Sequence, residues 1–328
     1  MCTALTLKTN DGYHLFGRNM DLEYTFGQAV VLMPRNFKYE DKVSGETKST
    51  KYAVMGMASL NGKHPLFADA FNEKGLACAG LNFPAAYWQK EVIEGKDNIP
   101  PYDLILWITS NFESLEELRP HLDKLNIVGK KYDEKTPLPT LHWMVTDKTG
   151  KSLVIEQTKE GLRIFDNPVG VMTNAPSFDW HLTNLTQYAG LTTSRADTHK
   201  WSDLELVTLG NGSGAFGLPG DSSSQSRFVK TSFLKSHVVI DNYENAGVVE
   251  FFNILNNVAM ISGTVIDPQG RSEITQYTSC ICQENGIYYY KTYKNSQINV
   301  IDMNKEDLCG SELKIFNYYD EPNFNYQN

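Results

Sequence analysis

Met1-Cys2-Thr3-Ala4-Leu5-Thr6-Leu7-Lys8, Thr9-Asn10-Asp11-Gly12 and Tyr13-His14-Leu15-Phe16-Gly17-Arg18-Asn19-Met20-Asp21 follow one another at the start of the chain. Two alternating runs flank a turn signal, which is the pattern of a β-hairpin. Its register decides what lies beside residue 2. If Asp11-Gly12 is a two-residue loop, paired positions sum to 23 and Asp21 faces Cys2; a three-residue loop at 10 to 12 places Arg18 opposite Ala4 instead. Either register returns a charge to the N-terminus. Arg18 and Asp21 differ by an odd number, so both reach Cys2 only if the returning strand ends or bulges near Asn19 or Met20.

Cys2 has chemical reach that an internal cysteine lacks. Loss of Met1 leaves one residue with a thiol and a free α-amine, whose ordinary pKa of about 7.7 to 8.0 lets a useful fraction act as base at neutral pH. Nucleophile and base then share a residue. In such a centre Arg18 favours thiolate and Asp21 holds the amine. Taken alone, the hairpin also fits a small residue after an initiator and a surface ion pair.

Working outward, strands are expected at Gln28–Met33, Tyr52–Ala58 and Leu76–Phe83, then helices at Tyr102–Asn111 and Ser114–Leu125. The second helix opens on a capping box, Ser114 with Glu117, and carries Pro120 as a kink. Leu141–Thr146, Ser152–Gln157, Leu162–Phe165 and Val169–Met172 read as a meander. Helices follow at Phe178–Tyr188, Gln225–His237 and Gly247–Ile261, and strands at Glu273–Gln283, Gly286–Tyr293 and Gln297–Asp302 close the chain. Blocks of strands alternating with blocks of helices, without βαβ units, indicate an α+β layered protein with antiparallel sheets. No repeat or linker divides it, so residues 1–328 are expected to form a single domain.

The 328 residues suffice for a large core, with 41% hydrophobic and 21% charged side chains. The formal charge of −9 opposes binding to nucleic acid or an anionic membrane. No apolar run reaches the ~18 to 20 residues of a membrane helix. The N-terminus lacks a basic segment followed by an apolar one, so a cytoplasmic protein with no secretory signal is expected. The five cysteines (2, 78, 280, 282, 309) form an odd set suited to a reducing compartment.

Other motifs have plain readings. Gly212, Gly214 and Gly217 spell G-x-G-x-x-G, but Leu218-Pro219-Gly220-Asp221 follows where a dinucleotide site needs a helix. The seven histidines are never closer than 18 residues, so no local zinc pair exists and no metal is expected. Cys280 with Cys282, and the run Tyr288, Tyr289, Tyr290, read as sheet packing.

The hairpin residues, with Asn72-Glu73-Lys74-Gly75-Leu76, Gly80-Leu81-Asn82-Phe83-Pro84, Thr173-Asn174-Ala175-Pro176, Phe178-Asp179-Trp180 and Gly217-Leu218-Pro219-Gly220-Asp221 through Ser226-Arg227-Phe228, resemble the choloylglycine hydrolases, most closely the bacterial conjugated bile salt hydrolases. The resemblance implies a four-layer αββα N-terminal nucleophile hydrolase sandwich. It also implies a cofactor-free amide hydrolysis of glycine- or taurine-conjugated bile salts. By it, Cys2 is the nucleophile after Met1 removal, Arg18 adjoins the sulfur, Asp21 orients the amine, Asn174 and Arg227 complete the polar centre, and Asn82 supplies an oxyanion donor. Met20, Tyr24, Phe26 and Ala68, with loops near 58–66 and 129–140, would line an apolar cleft, and a homotetramer is implied. The alternatives are a penicillin V acylase, which often has tyrosine where Asn82 stands, and a non-catalytic steroid-binding protein. The intact polar centre argues against the latter.

Overall fold

The first two strands, Cys2–Lys8 (β1) and His14–Leu22 (β2), form the expected hairpin in the computed structural model, which describes residues 1–328. Cys2 pairs with Met20, Ala4 with Arg18 and Lys8 with His14, so the three-residue loop is the one adopted. Gly12 takes φ +91° there, a conformation that a side chain would oppose.

The remaining ladder strands, in chain order, are Ala29–Met33 (β3), Val54–Asn61 (β4), His64–Asn72 (β5), Ala77–Asn82 (β6), Leu141–Thr146 (β7), Ser152–Thr158 (β8), Gly161–Asp166 (β9) and Val171–Met172 (β10). Ile274–Cys282 (β11), Ile287–Thr292 (β12), Asn299–Asp302 (β13) and Lys314–Phe316 (β14) complete them. They form two antiparallel sheets, a six-stranded one ordered β10-β1-β2-β11-β12-β13 and an eight-stranded one ordered β9-β8-β7-β6-β5-β4-β3-β14. The helices Leu104–Asn111 (α1) and Leu115–Leu122 (α2) lie by the larger sheet. Phe178–Leu185 (α3), Ser224–His237 (α4) and Ala246–Asn256 (α5) lie by the smaller one. The result is the expected αββα sandwich.

Period-two alternation builds this sandwich. On β3, Val30 and Leu32 join the interior shared with the smaller sheet, whereas Val31 and Met33 pack with Leu104, Ile105 and Ile108 of α1. Each fully buried aliphatic side chain contributes about 1.5 to 3 kcal/mol.

Some boundaries differ from expectation. The irregularity expected near Asn19 or Met20 is absent: β2 pairs evenly with β1, so Arg18 and Asp21 stay on opposite faces, and the register shift in this region lies on β11, between Thr275 and Tyr277 opposite Asp21 and Met20. The extra residue is Gln276, on β11. Helix α2 ends at Leu122 after Pro120, and Leu125–Ile127 forms a short strand instead. The segment 58–66, expected as a loop, belongs mainly to the β4–β5 hairpin. Gly212 to Gly217 carry one short 3-10 turn at Ser213–Ala215, without a following helix. Cys280 and Cys282 are unpaired and buried. No helix is long and apolar enough to cross a membrane.

Candidate active site

The hairpin register places Cys2, Ala4, Arg18 and Met20 on one face of the smaller sheet, and Thr3, Asn19 and Asp21 on the other. Arg18 points into the space between the sheets, where its Nη1 donates to the carbonyls of Ala68 (3.2 Å) and Gly80 on the larger sheet. Its Nη2 donates to Cys2 Sγ and, at 3.3 Å, to Met20 Sδ, while Nε reaches Asn19 O at 3.3 Å. All five guanidinium protons are thus committed, and no carboxylate touches them. Arg18 is fully buried. Burial works against its charge, but Cys2, Tyr277, Asp69 and Asp21 together outweigh that cost, so the proton is held more tightly than usual.

The other side of Cys2 is governed by α4. Ser223 caps that helix by accepting from Ser226 N, and the carboxyl of Asp221, accepting from Ser223 and Ser226, is held down at about 2. The first turn thereby aims Arg227 at the N-terminus, where its Nη1 donates to Cys2 O at 2.5 Å and Thr3 Oγ1 at 2.6 Å. Its Nη2 donates to Asn174 Oδ1 at 2.8 Å, the oxygen that also accepts from Cys2 N at 2.9 Å. Asn174 Nδ2 then donates to Asn82 O at 2.7 Å, and Asn82 Oδ1 accepts from Thr140 Oγ1 at 3.0 Å. Cys2, Asn82, Asn174 and Arg227 are therefore one connected network.

Asp21 lies opposite Met1 and donates its N–H to Met1 O at 2.9 Å. Its Oδ1 accepts from Thr275 Oγ1 at 2.6 Å, whereas Oδ2 is buried with no partner. Burial raises this carboxyl, opposed by Arg227 and the N-terminal ammonium. That ammonium donates to Glu273 Oε2 at 2.8 Å and Asp21 O at 2.6 Å. The six expected centre residues thus converge, with Arg18 at the sulfur and Asp21 reaching the N-terminus from the opposite face of the sheet.

Of the expected cleft residues, Met20 and Ala68 border the Arg18 guanidinium, Phe26 is partly buried and Tyr24 is exposed. Asn61 Nδ2 donates to Asp133 Oδ2 at 2.8 Å, which ties the β4–β5 hairpin to the irregular 129–140 segment. A separate cavity of about 510 Å³ lies by Thr9–Tyr13 and Ile240–Val248, at the far end of β1 from Cys2.

Three supporting residues were not expected. His142 Nδ1 donates to Glu156 Oε1 (2.9 Å) and its Nε2 lies 2.9 Å from Thr173 O, while His181 Nε2 lies 2.9 Å from Asn174 O. They fix the backbone that carries Asn174. Burial lowers the proton affinity of His181, which favours the neutral ring. The pairing of His142 with Glu156 follows from the β7–β8 register, in which Trp143 faces Ile155; hairpin arithmetic applied to the turn at 148–150 would have found it.

Residues 2–316 match the model of the linear amide C–N hydrolases of the choloylglycine hydrolase family, and the chain belongs to that family. It is 51% identical over 329 residues to the bile salt hydrolase/transferase of Clostridium perfringens, covering 100% of both chains. Identity to the bile salt hydrolase/transferase of Lactiplantibacillus plantarum is 41% over 313 residues, 95% of each chain. The crystal structure of the C2A mutant of the Clostridium perfringens conjugated bile acid hydrolase superposes with a TM-score of 0.94 at 50% identity, covering 100% of both chains.

Proposed function

We propose that this chain, after loss of Met1, hydrolyses the amide bond of glycine- or taurine-conjugated bile salts with Cys2 as nucleophile. The observation that carries the reading is the donation of Arg18 Nη2 to Cys2 Sγ inside a buried site, joined through Cys2 N to Asn174, Asn82 and Arg227. A guanidinium at the sulfur favours thiolate.

The sulfur attacks the acyl carbon, and the carbonyl oxygen becomes an oxyanion that accepts from the Asn82 amide. Collapse breaks the C–N bond, and the departing glycine or taurine nitrogen takes a proton from the Cys2 α-ammonium. The α-amine then removes a proton from water, whose oxygen displaces the sulfur, releasing the bile acid and the thiolate. Asn174 Oδ1 holds this nitrogen, and the unpartnered Asp21 Oδ2 is the buried acceptor available to it. No step calls for a cofactor or metal.

The same reading treats residues 1–328 as a single domain, since both sheets share one interior. A cytoplasmic location is supported by the free cysteines. A homotetramer is supported by an arm around the hairpin His199–Trp201 and Leu204–Leu206, which exposes Trp201, Leu204, Val207, Leu209 and Phe216. A sedimentation mass of one 37.0 kDa chain would remove that assembly.

The test is amine release from glycocholate, taurocholate and penicillin V, comparing the intact protein with Cys2→Ala. Rapid release from the bile conjugates, lost in the variant, is expected. Release mainly from penicillin V would keep the mechanism and overturn the substrate.

A further inference from the structure

Between the sheets, behind the guanidinium of Arg18, lies a carboxyl that the reaction above does not use. Asp69 is on β5 and fully buried. Its Oδ2 accepts from Tyr277 Oη at 2.6 Å and its Oδ1 from Tyr288 Oη at 2.7 Å. These phenols come from β11 and β12 of the opposite sheet, so the three side chains span the interior. Both oxygens accept a hydroxyl proton, which is the arrangement of an ionised carboxylate.

The environment explains why such a charge is needed. With Cys2 as thiolate, Arg18 has an anion in contact; once the sulfur is acylated, that anion is gone and a fully buried guanidinium remains. Leaving a buried charge without a counter-charge is strongly destabilising. Asp69 is a carboxyl that enters the same interior from the opposite sheet, and its attraction to Arg18 acts without contact because all five Arg18 protons already have other acceptors. A direct bidentate pair would instead draw the guanidinium off the sulfur.

We propose that Asp69 is a positioning residue for the Cys2–Arg18 pair: its carboxylate, held off the guanidinium by Tyr277 and Tyr288, balances Arg18 when the sulfur is acylated and restrains thiolate formation when it is free. The inference rests on Cys2 being the nucleophile. The titratable and charged groups around Asp69 are Arg18 on β2, Cys2 on β1, Cys78 on β6, Tyr277 on β11 and Tyr288 on β12, with Asp21 on the far face of β2. Burial pushes the Asp69 carboxyl above its ordinary value, and Arg18, the two phenols and Ser279 pull it back only in part. Burial also pushes the phenols of Tyr277 and Tyr288 and the thiol of Cys78 well up, which keeps all three neutral.

The test is the pH profile of iodoacetamide alkylation of Cys2 in the mature protein, read by mass spectrometry, alongside the acid limb of kcat. Asp69→Asn keeps the shape and removes the charge. Its alkylation midpoint is expected about one pH unit lower, so that alkylation well below the midpoint is about tenfold faster, while kcat falls more than KM changes. Tyr288→Phe, which withdraws one donor and raises the proton affinity of Asp69, is expected to move the midpoint the same way by less, and serves if Asp69→Asn fails to fold. An unmoved midpoint in the folded variants, with only a lower melting temperature, would overturn the proposal. Hydrolysis surviving in Cys2→Ala would overturn the nucleophile reading itself, whatever Asp69→Asn does.

Discussion

Asn82 has both of its oxygens committed, the side-chain one to Thr140 and the main-chain one to Asn174, which leaves Nδ2 as its uncommitted donor. The residue is exposed at the end of β6, so truncating it removes little packing. Asn82→Ala is therefore expected to lower kcat by about 10²- to 10³-fold, with KM and the melting temperature nearly unchanged. Steady-state kinetics beside a thermal melt check this, and a loss below tenfold would remove the oxyanion role. The centre residues on β1 and β2 were legible because the hairpin relates them by arithmetic. Asp69 was not, because its partners Tyr277 and Tyr288 lie more than two hundred positions away on the other sheet, and nothing local in His64–Asn72 distinguishes a functional aspartate from a turn residue.

At the scale of elements, α4 rests on the hairpin through an unusual contact. Lys235, near its C-terminal end, donates to Val169 O at 2.5 Å and Thr6 Oγ1 at 3.1 Å, and burial pulls its ammonium down to about 8. The unfolded value is 10.5, so between pH 8 and 10.5 the folded chain holds fewer protons than the unfolded one. Stability then rises with pH through that window and is lowest, as far as this group is concerned, below 8. The span corresponds to about 3 kcal/mol at most. Lys235→Met is expected to flatten the rise, which urea unfolding between pH 7.5 and about 10.5 would reveal; an unchanged slope would refute it. The block order predicted the layers correctly, since each block is internally consistent, but β5 escaped notice. It is buried on both faces while carrying His64, Asp69 and Asn72, so neither alternation nor an apolar run marks it. The bulge expected in β2 is absent because Arg18 and Asp21 need not share a face: Arg18 meets the sulfur between the sheets, while Asp21 meets the N-terminus through its main chain.

For the whole molecule, the formal charge of −9 meets substrates that are themselves anions. Within the site Arg18 and Arg227 supply positive charge, yet both are buried and their protons are committed to Cys2, Thr3, Asn174 and backbone carbonyls. Their positive charge is offset by the carboxyls of Asp21 and Asp69 nearby, and the approaching conjugate senses mainly the surrounding surface. A repulsive long-range field slows encounter, and salt relieves it because the Debye length falls from about 30 Å at 0.01 M to about 8 Å at 0.15 M. For taurocholate below its micelle concentration, kcat/KM is therefore expected to rise several-fold over that range, with kcat constant, since the acyl transfer takes place beyond the reach of the bulk ions. A fall in kcat/KM with salt would mean that a locally positive entrance overrides the net charge. The comparison is sharpened by an uncharged amide of the same steroid, for which the salt dependence of kcat/KM should vanish while the dependence on Cys2 persists.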